Sequence, residues 1–497
     1  MIYSQADAAS ANGPGPDAPV KEDASRHLLS RPGRQAEQRI CGLPPAPVHD
    51  WQEAFLAAFA RALERYRSFR VAMETCTRCG ACADKCPFFL GTGDPANMPA
   101  ARAELARAVY RRYFSPEARL WAGKRPKPPL SEKTLLLWYT YFYQCSLCRR
   151  CAVFCPLGID TAEVTRACRE ILAAAGLAAK EPSRAAARFY RAGNGLNLSP
   201  RVWTELNQAM EVELRAQTGE EIKCPVDEYG AEVLFIPPAA DLATHRSTYL
   251  GYAKTFHAAG VLWTTSTYVS DAANPGFHLN YRNLRLINQR ILEAARELRP
   301  KYILWGESGQ GWWAARNFSD TLNGPWAAEE YLEHKFPLHM VEWTANLLRR
   351  GAFHPTIKKE ANDDKVVTLH DPCATARAAR LLEEPRAIIR ACCLNFQEMP
   401  AETIRERTFC CGGGGGLGGE ELKELRLAAF LPRARALKDC QDRHGCNWVA
   451  MICDQCKSSF LEGLVHYGLG LRRGGVHELL GNALYPARSQ GQGQSHP

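Results

Sequence analysis

The chain has 497 residues, too many for one ordinary hydrophobic core, which predicts two or three domains. Hydrophobic residues make up 46% and charged residues 23%, as in a soluble globular protein, and no apolar run approaches the roughly 18–20 residues of a membrane span. The net charge of +9 is concentrated: residues 51–190 hold 22 Lys and Arg against 12 Asp and Glu, and no nucleic-acid reading motif joins them. A bland role fits this excess better, as balance for anionic metal sites and a docking surface for an acidic redox partner.

Residues 1–45, rich in Ala, Pro, Gly, Ser and Asp without periodicity, are expected to be a disordered tail, and 488–497 a second one. The N-terminus shows no signal pattern, so a cytoplasmic protein is expected, in which cysteines act as metal ligands rather than in disulfides. Helical spacing runs over Trp51–Met73, Ala100–Phe114, Leu135–Tyr143 and, after an Asp160 cap, Thr161–Ala179. Residues 46–190 therefore read as an all-helical domain, and 191–229 as a helical linker.

The texture changes near 230. Short strands are expected at Ala231–Ile236, Gly260–Thr265 and Tyr302–Trp305, with a helix at Tyr249–Ala259. The same order returns with strands at Lys365–Leu369, Leu394–Gln397 and Trp448–Ile452 and a helix at Glu420–Asp439. Two copies of one α/β unit, 230–345 and 346–487, are expected. His370-Asp371-Pro372-Cys373 of the second copy stands opposite Pro237-Pro238-Ala239 of the first. Likewise Cys410-Cys411-Gly412 stands opposite Ala272-Ala273-Asn274, and Cys453-x2-Cys456 opposite Gly306-Glu307-Ser308-Gly309. The expected fold class is thus a multidomain α plus α/β protein whose first repeat lacks its cysteines.

Thirteen of the 20 cysteines form three arrays. Cys76, Cys79, Cys82 and Cys86 precede Pro87, and Cys145, Cys148, Cys151 and Cys155 precede Pro156. This C-x2-C-x2-C-x3-C-P pattern is that of bacterial ferredoxins, in which the fourth cysteine reaches the other cluster. Cys76, Cys79, Cys82 and Cys155 are expected to hold one cubane 4Fe–4S cluster; Cys145, Cys148, Cys151 and Cys86 a second. Structural zinc favours separated cysteine pairs, which these arrays are not. The 58 residues between Cys86 and Cys145 imply a helical elaboration of the ferredoxin module.

The third array is Cys373, then Cys410-Cys411-Gly412 after 36 residues, then Cys453 and Cys456 after 41 more. Four thiolates complete a cube, so a fifth, with two ligands adjacent in the chain, suggests a bridging thiolate and a distorted cluster. The run Gly412–Gly416 lets backbone approach the metal closely. A dinucleotide fingerprint across this run lacks its preceding strand. A thioredoxin-like pair at Cys453 and Cys456, or a flexible glycine linker, would leave Cys410 and Cys411 unexplained. Cys392, Cys393 and Cys168 read as packing, while Cys41, Cys224, Cys440 and Cys446 have no partner at ligand spacing. His370 and Asp371 are candidates for protons or supporting hydrogen bonds, although a lone histidine is more often simply satisfied.

Tandem ferredoxin arrays followed by a Cys-Cys-Gly domain resemble the heterodisulfide reductase catalytic subunits, as fusions of the C-type and B-type subunits. The segments GDPANMPAARAELARAVYRRYF and YFYQCSLCRRCAVFCPLGIDTAEVTRA and the motif HDPC…CCGGGGGLGGEEL resemble more closely the DsrK family of iron–sulfur subunits in DsrMKJOP membrane complexes. The resemblance covers about residues 50–480. It implies that Cys373, Cys410, Cys411, Cys453 and Cys456 hold a noncubane 4Fe–4S cluster. It also implies electron exchange between a membrane quinone pool, through a DsrM-like haem b subunit, and a DsrC-like sulfur carrier, with the chain attached to the inner face of the membrane by its partners. Heterodisulfide reductases carry two Cys-Cys-Gly motifs and this chain one, which points away from a small heterodisulfide and toward a protein-bound disulfide or trisulfide. Alternatives are an iron–sulfur subunit of a glycolate, lactate or glycerol-3-phosphate dehydrogenase complex, and a pure electron relay.

Overall fold

The computed structural model describes residues 31–45, 47–120, 129–353 and 356–486. Most of the expected N-terminal tail, and all of the C-terminal one, lie outside these residues. The boundary at 45 needs correction, because residues 31–45 are built into the fold. Pro32 bridges Ala179, helix Gln35–Ile40 follows, and Cys41 is fully buried against Ala173 and Ala178.

The architecture is mostly helical, with two small parallel sheets. In the N-terminal part, helices Trp51–Arg65, Pro99–Tyr113, Glu132–Phe142 and Thr161–Ala174 bury one face each in a common core of Phe55, Phe59, Phe69, Trp138, Phe142, Ile171 and Leu172. Phe55 meets Trp138 edge-on at 4.7 Å, and each such fully buried side chain contributes about 1.5–3 kcal/mol. The continuous helix expected over 51–73 breaks at Tyr66, whose backbone is extended. Its hydroxyl bonds the Glu170 carboxylate at 3.0 Å and its ring packs on Tyr281, contacts that a helical Tyr66 would give up. Asp160 caps the last helix as expected, accepting from the Ala162 N–H at 2.9 Å, but that helix stops at Ala174 and a new one begins at Lys180.

The strands are β1 Val233–Ile236, β2 Trp263–Thr264, β3 Tyr302–Trp305, β4 Leu338–His339, β5 Val366–His370, β6 Asn395–Phe396, β7 Trp448–Met451 and β8 Arg472–Gly475. The sheets have the orders β2-β1-β3-β4 and β6-β5-β7-β8, every pairing parallel. The central strands read VLFI, YILW, VVTLH and WVAM, near-continuous apolar runs suited to burial on both faces. β2 and β6 are shorter than expected, and β4 and β8 were not expected. Arg472-Arg473-Gly474-Gly475 has no strand pattern of its own; a Cβ on Gly474 would lie 2.7 Å from the Trp448 ring, so glycine permits this edge to close on β7. In each sheet the chain leaves the two central strands in opposite directions, which opens a crevice beyond their carboxyl ends.

Candidate iron–sulfur sites

The two ferredoxin-type loops are conformational twins. Each has a left-handed residue just before its second cysteine and another just after it: Arg78 and Gly80 in the first, Leu147 and Arg149 in the second, with φ of 58–81°. Three of these four are not glycine, a conformation that persists only where the surroundings impose it. In the second loop the Leu147 N–H points at Cys145 Sγ, 3.4 Å away. Cys82 neighbours both Cys76 and Cys155, and a small cavity is lined by Cys86, Cys145, Cys148 and Cys151. The fourth cysteine of each array thus lies with the other array's set.

Burial deepens along the series. Cys79 is exposed and Cys76, Cys82 and Cys155 are half-buried; in the second set Cys86 and Cys148 are buried; in the third array only Cys373 is not. The second and third sets meet: Ser146 Oγ lies 3.2 Å from Cys410 Sγ, and the neighbouring Cys410 thiol pushes Cys148 well above the usual thiol range. Gly415 (φ 71°) makes this approach possible, because a Cβ there would sit 2.6 Å from Ser146 Cα.

The third array assembles beyond the carboxyl ends of β5 and β7. Cys373 follows β5 by three residues, and Cys453 and Cys456 follow β7 at the start of helix Asp454–His466. Cys410 and Cys411 enter from the loop after β6. Cys411 and Cys456 sulfurs are 3.4 Å apart, and the Gly412 N–H donates to Cys410 Sγ at 3.3 Å. Hydrogen bonds from the Cys410 and Cys456 thiols hold Cys411 well below the usual thiol range. A Cβ on Gly413 would lie 1.8 Å from Ser459 Oγ, so the glycine run is packed rather than loose. A cavity of about 230 Å³ opens here, lined by Cys373, Cys411, Cys453 and Cys456 on one side and by Asn274, His278, Ser308 and Gln310 of the first α/β unit on the other. The larger surface grooves, about 570 and 510 Å³, are lined by no cysteine and carry no comparable chemistry.

The surrounding charge fits anionic groups at these sites. Arg102 is fully buried and donates to the Tyr141 carbonyl at 2.8 Å and Asn97 Oδ1 at 2.9 Å. Arg169 donates to the carbonyls of Phe142, Gly415 and Cys145 at 2.6–2.8 Å. Arg150 binds the carbonyls of Arg407, Lys85 and Glu402, and Arg433 those of Thr403 and Phe409. None of these four pairs with a carboxylate among the described residues. Burial opposes the Arg102 charge, but Cys145, Cys86 and Cys151 more than offset it, holding the guanidinium above its usual range. Unpaired buried cations are expensive, and thiolate-held iron–sulfur clusters would supply the missing negative charge.

Asp371 is committed elsewhere: Arg386 grips it with two bonds of 2.7 and 2.8 Å, and the Arg405 N–H donates to it at 2.7 Å. His370 is different. It is fully buried and neither ring nitrogen has a partner, while the ring, Cys411 Sγ and Cys456 Sγ bring ligand atoms within 4.8 Å of one another. Cys392 and Cys393 pack in the core, as does Cys168. Cys440 and Cys446, expected to lack partners, lie with sulfurs 2.7 Å apart, because the end of helix Lys423–His444 turns back toward β7.

Residues 72–159 match the family model of the 4Fe-4S dicluster domain. The chain is 38% identical to the Hdr-like menaquinol oxidoreductase iron–sulfur subunit 2 of Archaeoglobus fulgidus, over 94% of this chain and 91% of that one. It is likewise 38% identical to the Hdr-like menaquinol oxidoreductase iron–sulfur subunit of Archaeoglobus profundus, over 88% of this chain and 83% of that one. The chain belongs to this Hdr-like iron–sulfur subunit family. A more distant relative is a component of the dihydromethanophenazine:CoB–CoM heterodisulfide reductase of Methanosarcina acetivorans, 24% identical over 79% of this chain and 89% of its own length. The resemblance implied by the cysteine arrays therefore holds, and the chain is an iron–sulfur electron-transfer subunit of an oxidoreductase.

Sequence reasoning missed what this Hdr-like subunit has built where its first α/β unit lacks cysteines. Trp305 pairs with Ile236 as Met451 pairs with His370, so two residues further on Glu307, not Gly306, stands at the position of Cys453. Gln310, not Gly309, stands at that of Cys456. Glu307 is fully buried, 3.0 Å from Lys457 Nζ and 2.9 Å from His477 Nδ1; Lys457 also reaches Asp241 at 2.8 Å. Burial works against the Glu307 carboxylate, yet Lys457 and His477 hold it down to about 2. The network pins the helix that carries Cys456 to the first unit.

Proposed function

We propose that this Hdr-like subunit exchanges electrons between a membrane quinone pool, reached through a haem b partner, and a protein-bound disulfide or trisulfide on a DsrC-type sulfur carrier. Two cubane 4Fe–4S clusters at the ferredoxin-type arrays would lead to a noncubane 4Fe–4S cluster at Cys373, Cys410, Cys411, Cys453 and Cys456. The observation that carries this reading is the series of cysteine sites whose burial deepens from the exposed Cys79 loop to the cavity, the second set touching the third. Bound clusters supply one-electron steps and an iron centre that a sulfur can approach.

The chain's own residues do the rest. In the reductive direction a disulfide R–S–S–R′ takes two electrons and two protons and leaves as R–SH and R′–SH. Gly413 and Gly415 keep the cavity floor free of side chains, and Asn274, Ser308 and Gln310 offer neutral polar groups to the arm that carries the sulfur. No helix among the described residues is long and apolar enough to cross a membrane, so membrane attachment in this reading runs through partner subunits at the cytoplasmic face.

The test is paramagnetic resonance of the purified complex. The paired substitution Cys410→Ser and Cys411→Ser should abolish the third-site signal and leave both cubane signals intact. Adding the persulfidated carrier to the wild-type protein should change the third-site signal. A signal indifferent to the carrier would reduce the chain to a relay.

A further inference from the structure

We propose that His370 donates a hydrogen bond to the sulfur of Cys411, and that this contact makes the third site easier to reduce. The inference rests on reading the five cysteines around it as ligands of a cluster. His370 is the last residue of β5, at the crevice where the third array assembles. Its side chain is fully buried, with the Phe460 ring 4.7 Å away. A neutral imidazole has one N–H and one bare nitrogen, and both nitrogens here lack a protein partner. Leaving such a group unsatisfied is costly, so the ring is oriented toward something that takes the N–H. Cys411 Sγ lies within 4.8 Å of the ring nitrogen and Asp371, the neighbouring carboxylate, is held by Arg386 and turned away from this role.

The molecule contains its own control. Ile236 occupies the same place in the first sheet, at the end of β1 and paired with Trp305, in the unit whose sequence order sets Ala272 and Ala273 opposite the double cysteine. An imidazole appears at this position in the unit with thiols, and a plain hydrocarbon in the unit without them. His370 does not line the 230 Å³ cavity, so it lies behind Cys411 relative to substrate and is a positioning residue, not a catalytic one. A donor to a cluster sulfur stabilises the electron-rich, reduced state and so raises the potential.

The experiment compares the wild-type complex with His370→Phe and His370→Gln by redox titration of the resonance signals. At a fixed potential, His370→Phe should lower the ratio of reduced to oxidised third site by at least tenfold, about 59 mV for a one-electron step. His370→Gln, which keeps an N–H, should recover part of that loss, and the two cubane signals should not move. Pulsed resonance on wild-type protein labelled with 15N-histidine should give a weak nitrogen coupling at the third site, and this arm holds even if His370→Phe fails to load. An unmoved potential, no nitrogen coupling, or the strong coupling of a directly bound nitrogen overturns the proposal. Absence of any third-site signal from the wild-type protein overturns the cluster reading and this inference with it.

Discussion

The two α/β units share strand order, parallel pairing and the crevice beyond their central strands, yet they use that crevice in opposite ways. In the second unit the strand ends present Cys373, Cys453 and Cys456 to a cavity. In the first the equivalent ends present Ala239, Glu307 and Gln310, and Glu307 closes on Lys457 of the other unit. In the proposed reading the second crevice holds the cluster, while the first braces it and lends Ser308 and Gln310 to the cavity wall. A fold that positions ligands by backbone register can lose the ligands and keep the geometry, which is then free for charge pairing.

Breaking the brace should have the largest effect. Lys457→Met leaves Asp241 buried without its cation and Glu307 with His477 alone, and should cost about 3–5 kcal/mol in denaturant unfolding. An unchanged midpoint would mean that the two units do not depend on this pairing. The next effect contrasts two carboxyls beside the same lysine. Glu307 is held below its ordinary value, so its contribution is present above pH 4.5 and is lost as pH falls toward 2. Glu478 is pushed up by burial from 4.5 to about 7, so the stability of its neutral form is complete below pH 4.5 and lost as pH rises through 7. Glu478→Gln should therefore match the wild type at pH 4.5 and exceed it by roughly 3 kcal/mol at pH 8. Parallel pH curves for the two proteins would contradict this. The smallest effect should come from Ile236→Val, which trims one methyl at the position equivalent to His370. It should cost about 0.5–1.5 kcal/mol and leave every resonance signal in place, since Ile236 does not line the sulfur cavity.

The cysteine arrays, the long helices and the repeated α/β order were legible because each depends on local spacing or local periodicity. Metal chemistry dictates residue type as well as spacing, so Cys76 to Cys86 and Cys145 to Cys155 could be recognised without a fold. What escaped was set by distant partners. The break at Tyr66 answers to Glu170 and Tyr281, and β8 forms because Gly474 fits beneath Trp448. The buried arginines look like surface residues in the sequence, and only their carbonyl partners show otherwise. Glu307 needed the strand register, since spacing alone sets Gly306 opposite Cys453, one residue short.

The crossing of the fourth cysteines bears on how the protein matures. Cys86 joins the set of Cys145, 59 positions away (145 − 86), and Cys155 joins that of Cys82, 73 positions away (155 − 82). In the proposed arrangement neither cluster can be inserted into a locally preformed nest; each insertion closes a long loop, and closing one brings the ends of the other together. Loading should then be all-or-none, with half-filled chains scarce and metal delivery acting as a late folding step. The Gly415 contact extends that dependence to the third site, whose glycine floor rests on the second loop.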